Sequence, residues 1–129
     1  MLNVLIADDH EIMRRGIRSI LESRNDIEVY EAKNGKEAID KTRELQPHLV
    51  ILDVSMPVID GFSAAREIKE AYPQIPILIF SLDRTEAFTE VAKKIGVSGY
   101  ITKNDVGETL LKAIDAALNN QAFFVSPQS

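Results

Sequence analysis

Acidic side chains stand directly after two apolar segments of this sequence. Asp8 and Asp9 follow the apolar run of residues 2–7, and Asp53 follows the run of residues 49–52. Short apolar runs with β-branched members are typical of strands that are buried on both faces of a parallel sheet. Open α/β sheets bind their ligands at the carboxyl ends of such strands, where these three carboxylates are predicted to lie.

Two further polar side chains close later apolar segments. Ser81 follows the run of residues 76–80, and Lys103 ends the short segment Gly-Tyr-Ile-Thr-Lys. Right-handed crossovers bring the carboxyl ends of all strands of a parallel sheet to one edge. The sequence therefore predicts one site that contains Asp8, Asp9, Asp53, Ser81 and Lys103.

The predicted site has the chemistry of phosphoryl transfer. Three neighbouring carboxylates repel one another and need a counter-charge, and an all-oxygen set of this kind suits Mg²⁺ better than a transition metal. Lys103 offers a mobile positive charge and Ser81 a hydroxyl donor, and both suit phosphoryl oxygens. A carboxylate nucleophile, a divalent cation, a lysine and a hydroxyl are the groups needed to form and hold an aspartyl phosphate.

Each of these residues also has a purely structural interpretation. Asp8 and Asp9 can cap a helix and favour its dipole, and Asp53 can cap a loop. Ser81 can be a turn former, and Lys103 can be a solvated surface charge. The functional hypothesis therefore depends on the combination rather than on any single residue.

Helical patterns separate the predicted strands. Apolar residues recur at helical spacing in five segments, and the first, residues 11–24, carries Ile12, Ile17 and Leu21 on its stripe. Gly96 is predicted to end the fourth helix. Strict alternation of strands and helices predicts an α/β domain, a parallel sheet with helices on both faces.

Composition excludes several classes of protein. The 129-residue chain is expected to form one domain with a sizeable core. The net charge of −5 and the lack of a basic cluster argue against direct binding of nucleic acid. The chain has no Cys, and its two His are too far apart for zinc. With no signal peptide and no apolar run near the roughly 18 residues that span a bilayer, we expect a cytoplasmic protein without membrane contact.

These residues together resemble the receiver domains of two-component response regulators, over nearly the whole chain. The resemblance rests on the acid pair Asp8-Asp9, the segment Asp-Val-Ser-Met-Pro-Val-Ile-Asp-Gly from Asp53 to Gly61, Ser81, and Gly-Tyr-Ile-Thr-Lys ending at Lys103. The D-x-x-M-P-x-x-D-G segment is highly specific, whereas the lone Ser and Lys would be weak without it. The run A-D-D-H-E-I-M-R-R-G and the Ser at position 81 resemble the NarL/LuxR-type subfamily.

The resemblance implies a fold and a set of roles. The fold would be flavodoxin-like (CheY-like), a doubly wound five-stranded parallel sheet of order 2-1-3-4-5 with five helices, over residues 1–121. Asp53 would accept a phosphoryl group from a sensor histidine kinase. Asp8, Asp9, the Asp53 side chain and the main-chain carbonyl of Ser55 would bind Mg²⁺. The protein would be a signalling domain that catalyses transfer to and hydrolysis from its own Asp, not an enzyme for other substrates.

The resemblance also implies a switch and an output. Ser81 and Lys103 would contact the phosphoryl group, and the orientation of Tyr100 would follow that of Ser81. Residues 122–129 would begin a linker to a C-terminal helix-turn-helix domain absent from this sequence, and only that domain would bind DNA. The first or fifth helix could support a homodimer controlled by phosphorylation. A stand-alone receiver with an ordinary tail is the alternative.

The sequence bears on three other functions. A haloacid-dehalogenase-type phosphatase would carry Asp-x-Asp after its first strand, whereas Asp8 and Asp9 are adjacent here. A flavin-binding module would have a hydroxyl-rich phosphate loop at that position. A receiver that acts by protein interaction without phosphorylation stays open, although the intact site residues argue against it.

Overall fold

A computed structural model of the chain describes residues 1–82 and 85–124. For residue 105 it describes the main chain only. Strands and helices alternate as predicted. The strands are β1 (Leu2–Ala7), β2 (Ile27–Ala32), β3 (Leu49–Asp53), β4 (Ile77–Ser81), β5 (Gly99–Thr102) and β6 (Phe123–Phe124). The helices are α1 (Glu11–Glu22), α2 (Gly35–Leu45), α3 (Gly61–Ala71), α4 (Glu86–Ile95) and α5 (Val106–Leu118). A short 3₁₀ helix, Lys103–Asp105, joins β5 to α5.

The strands form one parallel sheet of order β2-β1-β3-β4-β5-β6. The predicted five-stranded, doubly wound arrangement is confirmed, and the two-residue β6 extends it beyond β5. A Cβ atom on Gly99 would lie 2.4 Å from the carbonyl oxygen of Phe123, so this close pairing requires glycine. Strand β6 lies within residues 122–129, where we expected a linker to begin, and residues 125–129 lie outside the described part of the chain.

The sheet separates two layers of core. One layer packs α1 and α5 against the sheet, with Ile17 and Leu110 among its buried residues. The other packs α2, α3 and α4 against the opposite face, with Ala38, Ile68 and Ala92 among its members. Strands β3 and β4 are buried along their whole length, as their unbroken apolar runs predicted. Within the described residues, no helix is both long enough and apolar enough to cross a membrane.

Local sequence signals mark where α3 begins and where α4 begins and ends. Asp60 accepts the amide N–H of Ser63 at 2.9 Å and caps α3, and Thr85 caps α4 through the N–H of Phe88. Gly96 adopts the left-handed conformation at the end of α4, with φ of 90°, and the prediction for this residue is confirmed.

Helix α1 differs from the prediction in two respects. It ends at Glu22 rather than at residue 24, and Ile12, which was placed on the apolar stripe, is 87% exposed. Ile17 and Leu21 are buried and define the inner face of the helix. Ile12 precedes Ile17 by five residues, a rotation of about 140° on a helix of 3.6 residues per turn, so it points away from the core.

We predict that Gly61→Ala destabilises the fold by about 2 kcal/mol or more, because a core position that is already full accepts no extra atom without strain. A Cβ atom at Gly61 would lie 2.0 Å from the carbonyl oxygen of Asp53. Urea denaturation followed by circular dichroism measures the change. Gly16→Ala is the control, because Gly16 lies inside α1 with nothing within 4 Å of the added atom. That variant should gain about 0.5–1 kcal/mol from helix propensity, and equal effects of the two substitutions would contradict the prediction.

Candidate functional site

The centre of the site is a lysine between two buried carboxylates. Asp53 ends β3 and is 1% exposed, and Asp8, directly after β1, is fully buried. The Nζ of Lys103 donates to Oδ2 of Asp53 at 3.0 Å and lies 3.6 Å from Oδ2 of Asp8. The same ammonium lies 5.3 Å from the ring centroid of Phe80, a cation–π contact. The predicted convergence of Asp8, Asp53 and Lys103 is present in the structure.

The acid turn after β1 offers oxygen atoms to a cation. Oδ2 of Asp8 is buried and accepts no hydrogen bond from any described residue, although it faces the Lys103 ammonium. One ligand atom from each of Asp8, Asp9, His10 and Asp53 lies within 4.8 Å of the others. Hard carboxylate oxygens suit Mg²⁺, and a buried carboxylate oxygen without a hydrogen bond is available as one of its ligands. The residues present therefore fit the predicted ion.

His10 is a member of this cluster that the sequence reasoning missed. Its Nδ1 lies 3.3 Å from Oδ1 of Asp8 and 3.2 Å from Oδ1 of Asp9. Its main-chain N–H also donates to Oδ1 of Asp8 at 2.9 Å. Its position directly after the acid pair was the available signal. The other histidine, His48, lies just before β3. Its Nδ1 accepts the main-chain N–H of Asn3, which is a structural role.

The loop after β3 is held close to Asp53. The N–H of Ser55 donates to Oδ1 of Asp53 at 3.3 Å, and the N–H of Gly61 donates to the carbonyl oxygen of Val54 at 2.9 Å. Val58 has φ of 70°. The N–H of Ile59 donates to the carbonyl oxygen of Pro57, and this bond closes a tight turn around Val58. The loop therefore places the main chain of Ser55 beside the carboxylate of Asp53, and both are predicted ligands of Mg²⁺.

Ser81 and Tyr100 lie on adjacent strands and face the same side of the sheet. Ser81 pairs with Thr102 in register, and Tyr100 pairs with Ile79, two residues earlier on each strand. Ser81 ends β4, the strand next to β3, and is 5% exposed. Tyr100 is 1% exposed and belongs to the core layer that includes α4. The structure thus places Ser81 at the edge of the sheet that carries Asp53, and Tyr100 two residues before that edge on the next strand.

An open cleft of about 660 Å³ adjoins the acid turn. Asp9, His10 and Ser55 line it together with Phe62 and Phe88, whose rings meet edge to face at 5.6 Å. Asp9 and Ser55 are exposed to solvent there, whereas Asp53 itself is buried. The cleft therefore makes the acid turn accessible from solvent.

Burial shifts the acid–base behaviour of Asp53. The pKa of its carboxyl group is raised to about 6, because removal from water and the charge of Asp8 together outweigh the hydrogen bond from Lys103. The lysine alone thus does not compensate for two buried carboxylates. Additional positive charge at this position would favour the ionised form that a nucleophile requires.

The sequence from residue 4 to residue 115 matches the family model of the response regulator receiver domain. The chain belongs to this family. The relatives of this receiver domain include the response regulator protein VraR of Staphylococcus saprophyticus, 36% identical over 126 residues that cover 95% of this chain and 59% of VraR. A protein-glutamate methylesterase/protein-glutamine glutaminase of Methanococcoides burtonii is 43% identical over 106 residues, 80% of this chain and 30% of the relative.

Solved structures agree with this assignment. A LuxR-family response regulator from Aurantimonas sp. SI85-9A1 has a TM-score of 0.90 at 35% identity, with 97% of this chain and 89% of the other covered. The isolated receiver domain of RcsB from Salmonella enterica serovar Typhimurium, solved with phosphomimetic BeF₃⁻, has a TM-score of 0.87 at 29% identity, covering 96% and 93%. The predicted family and its likeness to LuxR/NarL-type regulators are confirmed.

We predict that Asp53→Asn stabilises the metal-free protein, and more so as pH rises. A carboxyl group whose pKa is raised on folding, here to about 6, binds more protons in the folded state, so its ionisation lowers stability from about pH 4 upward. The variant should be about 1–3 kcal/mol more stable than the wild type at about pH 8 and nearly equal to it below about pH 4. Urea denaturation at both pH values measures the difference.

Asp40→Asn is the control for this experiment. Hydrogen bonding from Lys36 lowers the pKa of Asp40, so this carboxylate stabilises the fold above its unfolded pKa. Its removal should therefore reduce stability at neutral pH, opposite in sign to the Asp53 variant. A pH-independent effect of Asp53→Asn would contradict the assignment of a raised pKa to Asp53.

Proposed function

We propose that this receiver domain accepts a phosphoryl group on Asp53 from a sensor histidine kinase, with the help of Mg²⁺. The observation that carries the proposal is the Lys103 ammonium, 3.0 Å from Oδ2 of Asp53 and 3.6 Å from the unbonded Oδ2 of Asp8. Asp8, Asp9, the Asp53 side chain and the carbonyl of Ser55 would hold the ion. When bound, Mg²⁺ supplies positive charge to phosphoryl oxygens.

The residues of the chain then have distinct roles in the transfer. An oxygen of ionised Asp53 forms the new P–O bond while the P–N bond to the kinase histidine breaks, and the electron pair of that bond stays on the imidazole nitrogen. Lys103, already at this carboxylate, stabilises charge on a phosphoryl oxygen. Hydrolysis of the product by water would return Asp53 to its carboxylate form.

Ser81 and Tyr100 provide a route from the phosphoryl group to the surface. The Ser81 hydroxyl would donate to a phosphoryl oxygen, and Tyr100, on the neighbouring strand and the same side of the sheet, would adjust its ring in response. Tyr100 packs in the layer that includes α4, so its rearrangement would alter the surface of α4, β5 and α5. Such a change is a two-state equilibrium biased by new phosphoryl contacts.

The output would lie outside this chain. The chain spans 59% of VraR and 52% of LnrK of Bacillus subtilis, a relative described as a transcriptional regulatory protein. We therefore propose that residues 1–121 form the body of the receiver, and that residues 122–129, whose first part pairs with it as β6, lead to a DNA-binding domain that controls transcription. A receiver acting through protein interaction alone is the second candidate.

The first experiment is the intact mass of the protein after incubation with acetyl phosphate and Mg²⁺. The wild type should gain one phosphoryl group, because the proposed nucleophile Asp53 has Lys103 beside it and belongs to the acidic cluster that would hold Mg²⁺. Asp53→Asn and chelation of the metal should each abolish the gain, whereas Asp60→Asn, which changes a helix cap, should not. A wild type unmodified by both acetyl phosphate and a phosphorylated kinase would favour the interaction-only receiver.

We also expect phosphorylation to favour a homodimer. Ile12 is a large apolar side chain that α1 leaves 87% exposed, and such a residue is available to a second copy. Sedimentation with and without a beryllofluoride mimic measures the mass, and Ile12→Ser should weaken association if α1 takes part. Equal masses of the wild type in the two states would rule out control of assembly by phosphorylation.

A further inference from the structure

Arg14, on α1, reaches back to the acid turn from inside the protein. Its side chain is buried, and Nη1 donates to the main-chain carbonyl oxygen of Asp8 at 2.8 Å. This carbonyl belongs to the peptide group that joins Asp8 to Asp9. The orientation of that peptide group is one of the factors that set the directions of the two side chains.

The other edge of the same guanidinium is anchored on β2. Nε of Arg14 donates to Oε1 of Glu31 at 2.6 Å, while Arg18 pairs with Oε2 of the same carboxylate. The planar guanidinium can hold a carboxylate and a carbonyl at once, which a single ammonium cannot do in this geometry. Burial raises the pKa of Glu31, but the hydrogen bonds from Arg14 and Arg18 outweigh this and hold it below its usual range. Glu31 is therefore an ionised, well-held anchor.

The main chain of Asp8 is tied to β2 on both sides of its Cα atom, directly through its N–H and by way of Arg14 through its carbonyl. Its N–H donates to the carbonyl oxygen of Ala32 at 3.1 Å, and its carbonyl accepts from Arg14, which is itself bound to Glu31. The turn lacks a conventional helix cap, because the side chain of His10 at the start of α1 makes no capping hydrogen bond. Arg14 therefore restrains the turn through a carbonyl group, which a helix cap would not contact.

We propose that Arg14 is a positioning residue for the divalent-cation site, since it clamps the peptide group between Asp8 and Asp9. The proposal rests on the proposed function and adds a residue that touches neither the ion nor the phosphoryl group. A purely structural ion pair would not explain the arrangement, because Arg18 also pairs with Glu31. The distinguishing contact of Arg14 is its bond to the carbonyl between the two acids.

Arg14→Met tests this role, with Arg18→Met as the matched control. Both substitutions remove one arginine from Glu31 and keep an apolar stem of similar length, but only the first frees the Asp8 carbonyl. Loss of a group that orients metal ligands typically weakens metal affinity 10–100-fold. Isothermal titration with Mg²⁺ should therefore show a dissociation constant at least about tenfold higher in Arg14→Met and within about twofold of wild type in Arg18→Met.

A second readout needs no metal. The His10 N–H donates to the Asp8 carboxylate, so its hydrogen exchange, followed by NMR, reports whether that carboxylate stays in place. Exchange should be faster in Arg14→Met than in Arg18→Met, beyond any difference in global stability measured by urea. If Arg14→Met does not fold, Arg14→Lys replaces it, with the same direction expected because one ammonium cannot bind both partners.

The outcomes separate this proposal from the proposed function. His10 exchange or Mg²⁺ affinity that changes no more in the Arg14 variant than in Arg18→Met would overturn the positioning role, while wild-type phosphorylation would still stand. If the wild type binds no Mg²⁺, the proposed function fails. The exchange rate of the His10 N–H then still decides whether Arg14 holds Asp8 in place.

Discussion

The burial of two carboxylates around one ammonium is the constraint on which the rest of this structure depends. Asp8 and Asp53 are almost fully removed from water, and Lys103 offers them a single positive charge. Burying charges is costly unless they are paired, and the raised pKa of Asp53 shows that the pairing is incomplete. Further positive charge would therefore stabilise the ionised form of the site, and a hard cation is one source of it.

Such an arrangement persists only if the surrounding main chain is rigid. The three charged groups lie at the carboxyl ends of β1, β3 and β5, so their separation is set by the spacing of a parallel sheet. Short turns add local restraint, since Gly61 packs against the main chain of Asp53 and Arg14 holds the carbonyl of Asp8. Many hydrogen bonds and buried apolar contacts thus offset the repulsion between the Asp8 and Asp53 carboxylates.

Much of the fold and site could be predicted from sequence, because the signals are local. Unbroken apolar runs identified the buried strands, and the polar residue that ends each run marked its carboxyl edge. Asp8, Asp53, Ser81 and Lys103 were predicted in this way, without knowledge of any contact, and the structure places them at the carboxyl edge of the sheet. The pattern was less informative for Ile12, whose apolar character matched a helical stripe although its position on α1 faces solvent.

The sequence by itself determined the order of strands and helices and the edge of the sheet at which the carboxylates gather, because hydrophobic periodicity and turn residues act over a few neighbours. Only the tertiary structure decided which side chains meet across longer separations. Arg14 and Glu31 are 17 residues apart, and their bond depends on the packing of α1 beside β2. The pairing of β6 with β5 likewise requires the bare backbone of Gly99 to lie beside Phe123. These contacts depend on the three-dimensional placement of whole elements, for which neighbouring residues carry no signal.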